Sequence, residues 1–179
     1  MTKGKRILNI AFYIMGACYV FIMLDLFFRF NIISSGSNAS RSYNLIPFHT
    51  IMGYAGGDIS ASRTLVAYNI LGNIAVFIPF GMYLQVLLKN KAFIKSLFIV
   101  AITTVAIELI QFVFALGSAD IDDVILNALG GVIGILFYKL LVKLLGNRER
   151  AKTAVTVISL VMGLPVIAFY LMICVRRYF

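Results

Sequence analysis

The sequence predicts an all-α fold, a polytopic bundle of about five transmembrane helices with a cytoplasmic N-terminus and an external C-terminus. Three observations predict it. Of the 179 residues, 61% are hydrophobic and 13% are charged, a balance too apolar for a soluble domain of this length. Several apolar runs reach the roughly 20 residues that a helix needs to cross a bilayer. The basic residues also sort to one side of these runs.

The apolar runs predict both the spans and their direction. The spans are roughly residues 7–30, 64–88, 93–116, 124–145 and 154–175. The first is too long for a signal peptide and lacks a small-residue cleavage site, so we predict a retained anchor. Lysine and arginine concentrate before the first span, between the second and third, and between the fourth and fifth, at Lys3, Lys5, Arg6, Lys89, Lys91, Lys95, Lys139, Lys143, Arg148, Arg150 and Lys152. The positive-inside rule makes that side cytoplasmic. The net charge of +9 therefore reflects topology, and nucleic acid is not predicted as a partner.

The polar segment between the first two spans, residues 31–63, is predicted to be an external loop with an apolar turn. Pro47 keeps the preceding residue out of a helix, so its apolar neighbours Leu45, Ile46 and Phe48 are expected to form an interfacial plug or a re-entrant turn. His49, Arg41 and Arg63 lie in the same segment. We include these three as candidate ligand-binding residues.

The second and third spans carry polar side chains at matching depths. Asn69 and Asn73 are four residues apart, and Glu108 and Gln111 share a stripe with Thr104. At 1.5 Å per residue from the outer ends, Asn73 and Glu108 lie roughly 12 to 13 Å deep, and Asn69 and Gln111 roughly 7 Å. We therefore expect the two helices to face each other through these groups, unless the asparagines serve only as interhelical hydrogen-bond partners.

The fourth span follows an acidic turn. We expect its helix to begin just after Asp123, whose carboxylate can cap it or complement its N-terminal dipole. Asp120, Asp122 and Asp123 are candidate ligands for Mg²⁺ or Mn²⁺, although the sequence requires no cofactor. Asn127 is a further candidate ligand-binding residue, and the glycines after it suit close helix packing. The fifth span carries no charged residue and is predicted to be peripheral.

Four ordered motifs carry a family resemblance. They are NLIPF (44–48), NILGNIAVFIPFG (69–81), ELIQ (108–111) and DIDDVILNALGGVIG (120–134). Together they resemble the VanZ-like membrane proteins, over a core of residues 44–145 in one domain of 1–179. The resemblance implies a multi-pass protein of the bacterial plasma membrane, in a family whose namesake is associated with low-level teicoplanin resistance. Family members commonly carry an arginine just before the acidic turn, where this chain has Gly117, so a cation there would have to come from Arg41 or Arg63.

Three functions remain open for this stretch. The first is a module for resistance to glycopeptide or lipoglycopeptide antibiotics that engages a lipid-linked cell-wall intermediate or a lipoglycopeptide. The amides that would donate hydrogen bonds to the ligand are those of Asn69, Asn73, Gln111 and Asn127. Arg41 or Arg63 would contact its phosphate. The second is a hydrolase or transferase on such a lipid, with Glu108, Asp120 and Asp123 as acid, base or metal ligands. The third is a polar layer that only specifies helix packing. No Walker A, GxGxxG, HExxH, CxxC or GxSxG pattern is present in the sequence.

Overall fold

The computed structural model describes residues 3–28, 42–56, 63–88 and 93–178, and within them the all-α prediction is confirmed. The helices are α1 (Lys3–Phe28), α2 (His49–Gly56), α3 (Arg63–Leu87), α4 (Phe93–Val113), α5 (Ile121–Leu145) and α6 (Arg148–Tyr178). Of these described helices, all except the short α2 are long and apolar enough to cross a membrane. Their bounds follow the predicted spans closely, because an uninterrupted apolar run of bilayer length satisfies its backbone groups only as a helix.

The segment predicted as an external loop contains ordered structure near its middle. A two-residue strand, β1 (Tyr43–Asn44), runs parallel to a second, β2 (Ala119–Asp120), which precedes α5. After β1 the chain turns at Pro47, as its ring geometry predicts, and then enters α2. The strand pair joins segments that lie far apart in the chain, so neither α2 nor the pairing was predicted.

Contacts divide the chain into two units. The larger comprises Asp25–Phe137, and the smaller comprises Met1–Leu24 with Tyr138–Phe179. In the larger unit α3 and α4 form an antiparallel pair, joined near their connection by a hydrogen bond from Gln85 Nε2 to Ser96 Oγ of 2.7 Å. Successive crossings of a membrane require this reversal of direction.

Glycines bring α5 against α3 in the larger unit. A Cβ added to Gly130 would stand 2.2 Å from Ile74 O, and one added to Gly134 would stand 2.0 Å from Ile78 O. These two contacts advance together along both helices, so α3 and α5 are parallel. The backbones are too close for any side chain at these two positions, which agrees with the packing role expected of the glycines.

The smaller unit pairs the first and last spans. Lys152 Nζ donates to Asn9 Oδ1 near the start of both helices, and the rings of Tyr170 and Phe21 meet edge to face further along. Because these contacts also advance together, α1 and α6 are parallel and begin at the same end of the unit. None of the most apolar stretch of α6 is buried, as expected of a peripheral helix.

Candidate functional site

Glu108 holds the chain where it returns from α4 towards α5. Its Oε2 accepts a hydrogen bond from Asp120 N at 3.0 Å, while its buried Oε1 has no hydrogen-bond partner. The return is possible because α4 ends in a Schellman motif. Leu116 N donates to Gln111 O at 2.9 Å, and Ala115 takes the left-handed conformation with a φ of 52°. The carboxylate that the sequence singled out, which is only 6% exposed, therefore organises the turn before α5.

Asp120 caps α5 and ties it to β1. Its Oδ1 accepts from Asp122 N at 2.9 Å and from Asn44 Nδ2 at 3.2 Å. The predicted helix start and the predicted cap at Asp123 were wrong, because α5 already begins at Ile121. Asp123 lies in the first turn of that helix, where its carboxylate complements the helix dipole, as the alternative predicted. Asp120 is still part of a strand, so its side chain can reach forward to the second helical N–H as an N-cap does.

Asp122 supplies the N-terminal cap of α2 from across the site. Its Oδ1 accepts from Phe48 N at 2.5 Å and its Oδ2 from Ile51 N at 3.1 Å. The side chain is 1% exposed. Since Phe48 has no side-chain acceptor to cap α2, a carboxylate from another element meets the first N–H groups of that helix. Sequence reasoning assigned Asp122 only to a metal, and the missing local cap in PFH was the signal that it overlooked.

Asp123 points instead to α3. Its Oδ1 accepts from Asn73 Nδ2 at 2.6 Å, whereas Asn69 is exposed. Gln111 donates to the backbone of the last turn of α1, at Phe27 O, over 2.9 Å. The prediction that α3 and α4 face each other is confirmed, but their polar side chains bond to the acidic turn, Asn73 to Asp123 and Glu108 to the backbone of Asp120. Asn73 meets α5, because the rotation of each helix, and not depth alone, decides its partners.

The other predicted site residues lie in different surroundings. Asn127 is fully buried and donates to Thr104 Oγ1 at 3.1 Å, so its amide is part of the interior. His49 is exposed at the first residue of α2. Arg41 lies outside the described residues, and so does the side chain of Arg63.

The candidate metal ligands take separate partners. Asp120 bonds to β1, Asp122 to the start of α2, and Asp123 to α3. Within residues 3–28, 42–56, 63–88 and 93–178, no three or more His, Cys, Asp or Glu side chains are grouped so as to hold a metal ion. The three aspartates therefore act as hydrogen-bond acceptors for three different elements.

These bonds join the four sequence motifs in one cluster, which we name the acidic junction and define as Asn44, Asn73, Glu108, Asp120, Asp122 and Asp123. Beside it projects the apolar tip, defined as Leu45, Ile46 and Phe48, whose first two side chains are 68% and 64% exposed. The acidic junction anchors this tip through Asp122, and it binds the side-chain amide of Asn73 on α3 through Asp123. Asp122 and Asp123 are adjacent in sequence, so one short stretch of backbone supports both the exposed apolar tip and the amide of α3.

Comparisons with known proteins agree with the motifs. The model of the VanZ/LLP1 family matches residues 10–142, a range that contains the whole acidic junction and the apolar tip. The chain is 36% identical over 112 residues to "Protein VanZ" of Enterococcus faecium, covering 63% of this chain and 62% of that protein. The match therefore spans less than two thirds of the relative's length. No solved structure matches the chain.

Proposed function

The chain belongs to the VanZ/LLP1 family, and from that premise we propose that it protects a bacterial cell against glycopeptide antibiotics of the teicoplanin type as a multi-pass protein of the plasma membrane. It does so by engaging a lipid-linked envelope ligand, or the lipoglycopeptide itself, at the acidic junction and the apolar tip. The association with teicoplanin comes from the family resemblance. The acidic junction and the apolar tip support this mode of engagement.

One observation carries the proposal: a buried carboxylate is committed to presenting exposed apolar side chains. Asp122 accepts two N–H groups at the start of α2, and the adjoining Leu45 and Ile46 remain mostly exposed. A carboxylate is costly to bury, and its hydrogen bonds to the backbone offset that cost. The two hydrogen bonds to Asp122 rigidify a tip that an acyl chain or the alkyl group of an antibiotic can contact. Rigid presentation lowers the entropy lost on binding.

The polar half of the site favours a ligand rich in N–H and O–H groups. Asp123 is half-buried, and its carboxylate has more acceptor positions than the one at Oδ1 to which Asn73 Nδ2 donates. Sugar hydroxyls and peptide amides supply the matching donors, and both occur in glycopeptides and in lipid-linked cell-wall intermediates. Exposed Asn69 can add an amide at the edge. Contact with phosphate falls to Arg41 and Arg63 in this proposal.

The test removes the apolar tip without touching the acidic junction. Cells expressing Leu45→Ala/Ile46→Ala should lose most teicoplanin protection, measured as the minimum inhibitory concentration, while retaining wild-type amounts of membrane-inserted protein. Both side chains are largely exposed, so truncating them removes contact area rather than core. The matched control is Leu109→Ala/Ile110→Ala, an adjacent pair of the same residue types that is exposed on α4. It should retain protection, and equal loss in both variants would contradict a role for the tip.

A second measurement separates binding from chemistry. Purified protein is incubated with envelope lipid extract or teicoplanin and analysed by mass spectrometry. We expect intact ligand to co-purify with the wild type and to be depleted from Leu45→Ala/Ile46→Ala. Recovery of a cleaved or transferred product would refute a binding module. Equal recovery of ligand by wild type and variant would refute the proposed site.

A further inference from the structure

A cavity of about 720 Å³ opens in the smaller unit, between the start of α1 and the start of α6. None of its lining residues belongs to the acidic junction or the apolar tip. Three of them, Lys5, Arg150 and Lys152, are cations, and Glu149 is the single carboxylate in the lining. The cavity therefore carries an excess of positive charge that the function proposed above does not use.

The lining changes from charged to apolar along the helices. Lys5 and Arg150 are exposed near the helix starts, while Val157 and Ile158 line the cavity further along α6. From Arg150 to Ile158 the helix rises about 12 Å, roughly the distance from a lipid phosphate to the upper part of its acyl chains. Leu8 adds an apolar group from α1. A small soluble anion would gain no binding free energy from these apolar side chains, whereas an acyl chain would.

Lys152 is held in place by a hydrogen bond and two aromatic rings. Its Nζ donates to Asn9 Oδ1 and lies 4.8 Å from the ring centroid of Phe12 and 5.3 Å from that of Tyr13. An ammonium group has three N–H donors and the asparagine occupies one. The two rings stabilise the charge through cation–π contacts and restrict the side chain. A cation ordered before binding loses less entropy when it meets a ligand.

The neutral polar groups of the lining are largely committed within α6. Thr153 Oγ1 donates to Glu149 O and Thr156 Oγ1 to Lys152 O, while Asn147 Oδ1 caps the helix by accepting from Glu149 N. The hydroxyls offer their protons to the backbone, and the cations are left as the main donors of the cavity. Recognition should therefore depend on charge and not on the stereochemistry of a particular headgroup.

We infer that this cavity binds the phosphate headgroup of an anionic membrane lipid, with one acyl chain along Leu8, Val157 and Ile158. The cavity lies at the end of the smaller unit that the distribution of lysine and arginine makes cytoplasmic, and that leaflet carries anionic lipid. Basic pockets between transmembrane helices on this side of a membrane are suited to such headgroups. A free organic phosphate shares the charge but lacks the acyl chain, so the two sources can be told apart.

The test measures lipid retained by the full-length protein with native mass spectrometry, using phosphatidylglycerol and phosphatidylcholine with the same acyl chains. Phosphatidylglycerol should be retained preferentially. Lys5→Gln/Arg150→Gln should weaken its binding about 25-fold, at roughly fivefold for each cation. Both side chains are exposed, so the variant should fold. Lys152→Gln should weaken binding at least fivefold, because it also loses the ordered ammonium.

The matched control is Lys95→Gln/Lys143→Gln, which removes the same charge from exposed positions outside the cavity. It should change binding by less than about twofold if attraction is local. Equal weakening in the two double variants would overturn the inference in favour of general electrostatic attraction. Equal retention of both lipids would also overturn it. Competition by soluble glycerol phosphate at the concentration of the lipid would show a site for free phosphate instead.

Discussion

Replacing Gly130 with alanine tests whether the close approach of α3 and α5 holds the acidic junction together. The new Cβ would stand 2.2 Å from Ile74 O and 2.9 Å from Ile74 C. Nonbonded heavy atoms settle about 3.5 Å apart, so the two backbones must separate by roughly 1 Å or more. Ile74 directly follows Asn73, whose amide donates to Asp123 Oδ1 over 2.6 Å. The displacement therefore falls beside one of the bonds of the acidic junction.

The expected cost follows from these two effects. Overpacking of a well-packed interface costs about 1–3 kcal/mol. A hydrogen bond to a charged group contributes about 1.5–3 kcal/mol, and a shift of about 1 Å weakens a bond of this length severely. We expect Gly130→Ala to lower the free energy of unfolding by about 3–5 kcal/mol and to reduce teicoplanin protection with it.

The matched control is Gly72→Ala on α3. An added Cβ at Gly72 meets no atom within 4 Å, and alanine is favoured over glycine inside a helix by roughly 0.5–1 kcal/mol. This variant should be slightly more stable than the wild type. The same chemical change is thus predicted to act in opposite directions at two positions, because one faces a neighbouring backbone and the other does not.

Unfolding of both variants is followed by circular dichroism in mixed detergent micelles, and protection is measured as the minimum inhibitory concentration in a sensitive host. Wild-type stability of Gly130→Ala would refute the close approach of the two backbones. A loss in Gly72→Ala as large as that in Gly130→Ala would show that any glycine in these helices is sensitive. Full protection by a strongly destabilised Gly130→Ala would separate the acidic junction from function.

Three further predictions concern single contacts. Ala115→Gly should raise the free energy of unfolding by about 1 kcal/mol, measured by circular dichroism in the same mixed micelles. Ala115 has a φ of 52°, which glycine adopts without strain. An unchanged free energy of unfolding would contradict this account of the turn. Thr104→Val should lower the free energy of unfolding by about 1–3 kcal/mol, because it leaves the buried Asn127 amide without its acceptor. Thr104→Val/Asn127→Leu should recover most of that loss. A double variant less stable than the single one would refute the pairing. Asp120→Ala should make residues 42–56 more susceptible to limited proteolysis and cost about 1–2 kcal/mol, since it removes the cap of α5 and the contact with Asn44; unchanged cleavage would contradict the tie.

Much of the candidate site could be located from the sequence, but its bonds could not be assigned. Glu108 and the aspartates were recognisable because acids beside or within bilayer-length apolar runs are costly and need a reason. Their partners were not predictable in the same way. Asp122 accepts a hydrogen bond from the backbone N–H of Phe48, which is 74 residues away in sequence. No local sequence pattern links two such segments. The cap of α5 was misplaced by a few residues because an extended Asp120 and a helical Asp123 look alike in sequence.

The sequence by itself determined the helical class and the spans, because a bilayer leaves an apolar run of about 20 residues no other way to satisfy its backbone. It also determined the family, through four motifs in order. Only the tertiary structure decided which carboxylate serves which N–H group and how the NLIPF turn is presented. It also brought the cations at the start of α1 and α6 to one cavity. Those outcomes depend on how each helix is rotated and how closely its neighbours approach. The physical reason is that a hydrogen bond requires its donor and acceptor atoms to lie within about 3 Å of each other. Hydropathy and spacing along one chain do not determine that distance.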